Sequence, residues 1–303
     1  MLLAAGGLAA CLLLLTAVLP PRLARAAWPA RAPSYALVLW QTAGLAGGLM
    51  AIEIALTVAL SSAGATHLSA LDALARGAAP ALPWWSLLAF IVALVVAGRL
   101  LTVLGVSAGR TLAARHRHRV LLDLVATRNP LLSGTRVVDH DLPLAYCLPG
   151  LRPRVVLSRG VLELLRDDEV RAVLAHEQAH VEQRHDLVVL PFVALRATFP
   201  RLSAVRTAQA QVALLIEMLA DDRAVRSHPR PVLARALCQV GAVDVPAGGV
   251  GVGASPGGVL QRASRLVSPQ PPLPARARAA VLVASAGLLA APLLGVALPA
   301  LLS

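Results

Sequence analysis

At 303 residues, with 57% hydrophobic and only 15% charged side chains and a mean hydropathy of +0.70, the chain lies far from the balance of a soluble globular protein. Its net charge of +12 is carried entirely by arginine, with no lysine anywhere, and aromatic residues make up 3%. That leaves no stacking platform for single strands, so direct nucleic-acid binding is excluded and the positive excess is read as loop charge at a lipid surface. Three cysteines without C-x-x-C spacing give no disulfide framework, as suits a reducing compartment.

In chain order, apolar runs over 2–19, 35–60, 84–106 and 278–303 are each long enough to cross a hydrocarbon core of about 30 Å. The chain is therefore read as a mostly α, multi-span membrane protein, with three spans in residues 1–106 and a fourth at the end. Leu8-Ala-Ala-Cys11 looks like a lipoprotein cleavage box, but no positive residue precedes it and the apolar run continues past Cys11, so a retained span is expected. In the second span, Gly44 and Gly48 form a small-xxx-small pair suited to close helix packing, and Glu53 is the acidic group that suggests function. Arg99 in the third span is expected to snorkel inward rather than pair with Glu53.

Arginine placement sets the orientation. Arg22, Arg25 and Arg31 mark the first loop as cytoplasmic, and the poorly charged loop 61–83, ending at Trp84 and Trp85, lies outside. Arg110, Arg115, Arg117 and Arg119 return the chain to the cytoplasm, and Arg276 and Arg278 hold the start of the last span there, leaving Ser303 outside. Residues 107–244 are then a cytoplasmic domain, and 245–277, rich in Gly and Pro, reads as a flexible tether. Arg115-His-Arg-His-Arg119 reads as a juxtamembrane anchor, its alternate spacing converging on no single helix face. The apolar stretch Leu187 to Phe199, interrupted by Pro191 and Arg196, is too short to span and should pack beneath the domain or lie in the interface.

The chemistry is concentrated in Val173-Leu-Ala-His-Glu-Gln-Ala-His-Val181, an H-E-x-x-H pattern. The i, i+4 spacing aims His176 and His180 at one point, as two ligands of a roughly tetrahedral Zn²⁺ require, and Glu177 can reach a water in the open position as general base. Charged residues on both sides, Arg166 to Arg171 and Glu182 to Asp186, place this helix in water rather than lipid. A third ligand is needed. His185, five residues past His180 on an uninterrupted helix, would project about 140° away and reads as a helix C-terminal histidine favoured by the dipole. Glu217, in Ile216-Glu-Met-Leu-Ala-Asp-Asp-Arg223, sits in a helical pattern with Asp221 four residues on, giving a ligand and an acceptor for a ligand N–H.

H-E-Q-A-H followed by E-M-L-A-D resembles the gluzincin pattern of membrane-embedded metallopeptidases. With Ala145-Tyr-Cys-Leu-Pro-Gly150 and the run Arg152 to Gly160, it looks most like the BlaR/MecR-type antirepressor peptidases, with the HtpX and CAAX-processing proteases as broader relatives. The resemblance is sharp over about 144–225. It implies an α+β metallopeptidase domain with a small sheet, zinc held by His176, His180 and Glu217, Glu177 as base, and Asp221 behind a ligand. It also implies that Ala145, Tyr146, Cys147 and Leu148 form an edge strand for an extended substrate. Cys147 itself, with no paired histidine, reads as a structural thiol; Tyr146 and His228 are the obvious neutral donors for an oxyanion.

The function so implied is a zinc endopeptidase in a bacterial cell membrane that cuts a cytoplasmic protein, possibly a DNA-binding repressor. The extracellular penicillin-binding sensor of the beta-lactam receptors has no counterpart after the last span. Alternatives are membrane-protein quality control of the HtpX type and a signalling scaffold that binds metal without turnover. Oligomeric state is left open.

Overall fold

The computed structural model describes residues 1–64, 66–77, 82–128, 135–148, 150, 153–242 and 256–301. The elements run α1 (Leu2–Ala17), α2 (Leu19–Arg25), α3 (Trp28–Arg31), α4 (Pro33–Leu60), α5 (His67–Ala75), α6 (Trp84–Val125), β1 (Thr127–Arg128), β2 (Thr135–Val138), β3 (Ala145–Leu148) and β4 (Arg154–Ser158). They continue as α7 (Arg159–Leu164), α8 (Asp167–Glu182), α9 (His185–Thr198), α10 (Ser203–Ala224), α11 (Arg230–Gly241), α12 (Pro256–Val267) and α13 (Ala275–Leu301). The chain is mostly helical with one small sheet.

Four stretches are helical, long and apolar enough to cross a membrane: Leu2–Arg25, Pro33–Leu60, Trp84–Leu124 and Ala275–Gly295. Leu87, Leu88, Ile91, Val95 and Leu101 on α6 stand exposed, a surface that suits lipid and not water. The spans pack through small residues. Gly47 meets Leu15 of α1 and Gly48 meets Leu100 of α6, whereas Gly44 faces Leu195 and Phe192 of α9. The apolar stretch around Leu187 is thus a helix seated on the second span, and Gln41 Nε2 donates to the Val188 carbonyl at 2.8 Å. Phe192 and the α10 residues Val212, Leu215 and Met218 share a core with Leu39 and Trp40, joining the second span to α9 and α10.

Two boundaries differ from the sequence reading. The helix of the third span continues past Val106 without interruption to Val125, 42 residues in all. Arginines after residue 106 change the solvent a helix prefers, not its backbone, and no proline breaks the run. Arg115 and His118 consequently lie on this extension and tie it to the domain, through Arg115 Nη1 to Asp186 at 2.7 Å and a 2.8 Å contact of His118 with the Tyr146 hydroxyl. Arg99, higher on the same helix, donates to the Thr198 carbonyl at the end of α9. The second difference is α12, a helix inside the expected tether. Arg262, Ala263 and Leu266 are buried on one face, a stripe that an average over Gly and Pro conceals. The glycine run 248–253 lies outside the described residues.

The sheet order is β1-β2-β4-β3, with β2 parallel to β4 and β3 antiparallel to it in the register Cys147↔Val155. The short strand β3 is therefore an edge. Val155 and Leu157 of β4, with Val161 and Leu165, pack against Val170, Val173 and Leu174 of α8. That face fixes α8 against the sheet. Its start is set by Asp167, Asp168 and Glu169 in the first turn, where the helix dipole favours carboxylates, and Glu169 accepts the Arg166 N–H at 3.1 Å.

The other end of α8 is abrupt. Gln183 closes the helix, and Arg184 adopts a left-handed conformation with φ of 48° before α9 begins. A β-branched residue resists that conformation, so Arg184→Val should lower stability by about 1–2 kcal/mol while Arg184→Gly should preserve it. Thermal unfolding of the two variants in detergent checks this.

Candidate metal centre

His176 and His180 lie on consecutive turns of α8, and Glu217 reaches them from α10. One ligand atom from each of the three lies within 4.8 Å of the others. Glu217 Oε2 is 3.3 Å from His176 Nε2 and Glu217 Oε1 is 3.5 Å from His180 Nε2, with the two Nε2 atoms 3.2 Å apart. Two imidazole nitrogens and a carboxylate oxygen converging in this way fit a tetrahedral Zn²⁺ that keeps one position open.

Polar groups also lie close to the outer nitrogens. His176 Nδ1 lies 3.0 Å from Asp221 Oδ1, one turn past Glu217 on α10. His180 Nδ1 lies 3.0 Å from His185 Nδ1. The left-handed turn at Arg184 brings His185 back over the end of α8, so it is neither on the helix of His180 nor at a helix C-terminus. The expectation that His185 points away fails because it assumed an uninterrupted helix.

A further group was not anticipated. Arg262 of α12 is 3% exposed and grips Asp221 through two bonds, Nε to Oδ2 at 2.8 Å and Nη2 to Oδ1 at 2.7 Å. Its Nη1 is 2.9 Å from Glu217 Oε2. The signal was present in the sequence as an arginine within the apolar stripe Val259, Ala263 and Leu266. Arg265, one turn on, donates to Asp222 and to the Ala30 carbonyl, tying α12 to the first loop.

Electrostatics follow from this enclosure. Burial pushes Glu177 up to about 7, only partly opposed by His176 and Arg262. A carboxylate at that value suits proton transfer near neutral pH. Burial opposes a charge on His176, but Asp221 and Glu217 outweigh it and hold the imidazolium up to about 10, a proton that a bound dication would replace. Burial carries His180 down to about 4, leaving it neutral. Glu217, despite burial, is held down to about 2 by His176, Arg262 and His180.

The strand β3 runs beside this cluster. Strand β3 packs against α8, and Cys147 lies near enough to Glu177 for the carboxylate to act on its thiol. Burial, with Glu177 adding to it, pushes the Cys147 thiol up to about 12. Cys147 should therefore react with iodoacetamide at pH 7.5 at least about 100-fold more slowly than the exposed Cys238, as read by mass spectrometry of timed samples. Tyr146 is turned to the other face, against Leu122 and Val156 and bonded to His118, and His228 pairs with Ser227 past the end of α10.

Membrane-crossing helices carrying a domain with an H-E-x-x-H helix and a downstream glutamate define a membrane-associated metallopeptidase class. The chain belongs to peptidase family M48, whose family model matches residues 112–281, more than half of its length. It is similar to the "Protease HtpX homolog" of Aeropyrum pernix, 45% identical over 56 residues that cover 18% of each chain. The proteins of the same name from Aquifex aeolicus and Thermoplasma acidophilum are 34% identical over 74 residues and 28% over 81. These cover 23% and 26% of this chain and 24% and 25% of theirs, so the matched part spans a quarter or less of the curated relatives. No solved structure matches the chain significantly.

Proposed function

We propose that the protein is a multi-pass, membrane-anchored zinc endopeptidase with its peptidase domain, residues 107–244 together with α12, in the cytoplasm and its last helix ending outside. The observation that carries this reading is the convergence of His176, His180 and Glu217, with the edge strand β3 packed on α8 beside them. An extended polypeptide added to that edge along Ala145 to Leu148 would present its backbone to Glu177. His176, His180 and Glu217 would hold the metal, with Asp221 behind His176. Bound zinc would supply a Lewis acid that polarises the scissile carbonyl and acidifies a water. Glu177 takes the proton of the attacking water and delivers it to the leaving amine nitrogen, so no covalent intermediate with the protein is required.

The resemblance to BlaR/MecR-type peptidases supports a cytoplasmic transcriptional repressor as the substrate, cut in response to a signal. The matches to HtpX homologues favour a second reading, quality control of membrane proteins. Protein N-termini compared between host cells expressing wild type and Glu177→Gln separate them. New termini dependent on Glu177 in one small DNA-binding protein support repressor cleavage, and termini scattered over membrane proteins support quality control. Identical termini under every stress would overturn both in favour of a non-catalytic scaffold.

A further inference from the structure

The two histidines of the cluster are held from behind by different chemistry. Behind His176 is a carboxylate, Asp221, which Arg262 in turn neutralises. Behind His180 there is no carboxylate but a second imidazole, that of His185, 4% exposed and edge-on to the His180 ring at a centroid distance of 4.9 Å. His185 is fixed at its far side, where its Nε2 is 3.0 Å from Gln183 Oε1.

With the Gln183 amide oxygen facing His185, as the structure has it, and both imidazoles neutral, the contacts fix one set of protons. An amide oxygen can only accept, so His185 Nε2 carries the hydrogen that bonds Gln183. In a neutral imidazole the other nitrogen is then a lone pair, and His185 Nδ1 must accept across the 3.0 Å contact from His180 Nδ1. His180 is thereby fixed as the tautomer with its hydrogen on Nδ1 and its free lone pair on Nε2, the atom that faces Glu217 Oε1. The left-handed turn at Arg184 aims the ring, because it breaks the helix between Gln183 and His185 and lets both residues of that contact come from one tight turn.

We propose that His185 is a positioning residue for the metal centre, locking His180 in its metal-binding tautomer through the neutral relay Gln183, His185, His180. The proposal rests on the reading of His176, His180 and Glu217 as ligands. A neutral acceptor orients His180 without adding negative charge, so this side of the site differs electrostatically from the Asp221 side. His185 is not itself a ligand, since both of its nitrogens are engaged within the relay.

The test is zinc affinity of the full-length protein in detergent, measured by competition with a chromophoric chelator, together with the visible absorption spectrum of the Co²⁺-loaded form. The comparison is among wild type, His185→Asn and His185→Leu. Asparagine places an amide oxygen about where Nδ1 was, whereas leucine fills the space without an acceptor. The expected result is a weakening of zinc binding by about 10–100-fold and an altered Co²⁺ spectrum for the leucine variant, with the asparagine variant within about threefold of wild type. Should the leucine variant fail to fold, Gln183→Leu, at an exposed position, releases the relay at its far end and is expected to weaken zinc binding by about threefold to tenfold. Wild-type affinity and spectrum in every variant would overturn the positioning role while leaving the metal centre standing. Failure of the wild type to bind zinc would overturn the ligand reading and this proposal with it.

Discussion

Replacing Arg262 by methionine is expected to cost about 3–5 kcal/mol of stability, because it strands buried carboxylates without their cation. Asp221 is 0% exposed and receives both guanidinium bonds of the pair. Burial alone would raise its carboxyl, but Arg262 and His176 overcome this and hold it well below the usual carboxylate range. A carboxylate depressed in the folded state contributes stability that is fully present above its unfolded value, about 3.9, and is lost only as pH falls through the lower folded value. At neutral pH the whole contribution is therefore at stake. Thermal unfolding in detergent measures it. The double variant Arg262→Met, Asp221→Leu should recover much of the loss, since removing both partners leaves no orphaned charge. Equal melting of wild type and the single variant would show that the clamp is dispensable.

The second large effect is on turnover. Glu177→Gln keeps the size of the side chain and removes its ability to accept a proton, so cleavage of any polypeptide substrate should fall by about 10²–10⁴-fold with metal content unchanged. Glu177 is not among the three converging ligand groups, so its loss should not release metal. Metal content and cleavage rate measured on the same preparation separate this from a disrupted site. A variant that also lost its metal would place Glu177 in the ligand set instead.

The core of the site was legible because a helix translates spacing into direction. His176 and His180, and likewise Glu217 and Asp221, are i, i+4 pairs, and each pair shows one face of its helix to the other. The edge position of β3 was legible only through the family resemblance, since four residues carry too little pattern to fix their place in a sheet. Two residues escaped. His185 was misplaced because the helix break depends on Arg184 taking a left-handed conformation, a role for which glycine or asparagine is the usual signal. Arg262 was hidden in a segment whose neighbours are Gly- and Pro-rich, and its importance appears only when α12 is docked and a guanidinium meets two carboxylates distant in sequence.

The membrane part shows the same division between what is local and what is not. Glu53 was recognised as exceptional within its span, and the structure gives it company: Thr57 donates to its Oε1 at 3.2 Å, and His67 Nε2 lies 3.2 Å from the same oxygen. His67 comes from α5, in the loop beyond the span, so no reading of the second span alone could supply it. The absence of a direct Glu53 and Arg99 pair follows from these partners, because Arg99 is engaged at the far end of α9.

The most direct measurement is the metal content of the purified full-length protein by elemental analysis, with His176→Ala, His180→Ala and Glu217→Ala beside the wild type. One zinc per wild-type chain, lost in each of the three variants, is the expected result. A wild type without metal, or variants that retain it fully, would contradict the metal centre on which the proposed chemistry stands.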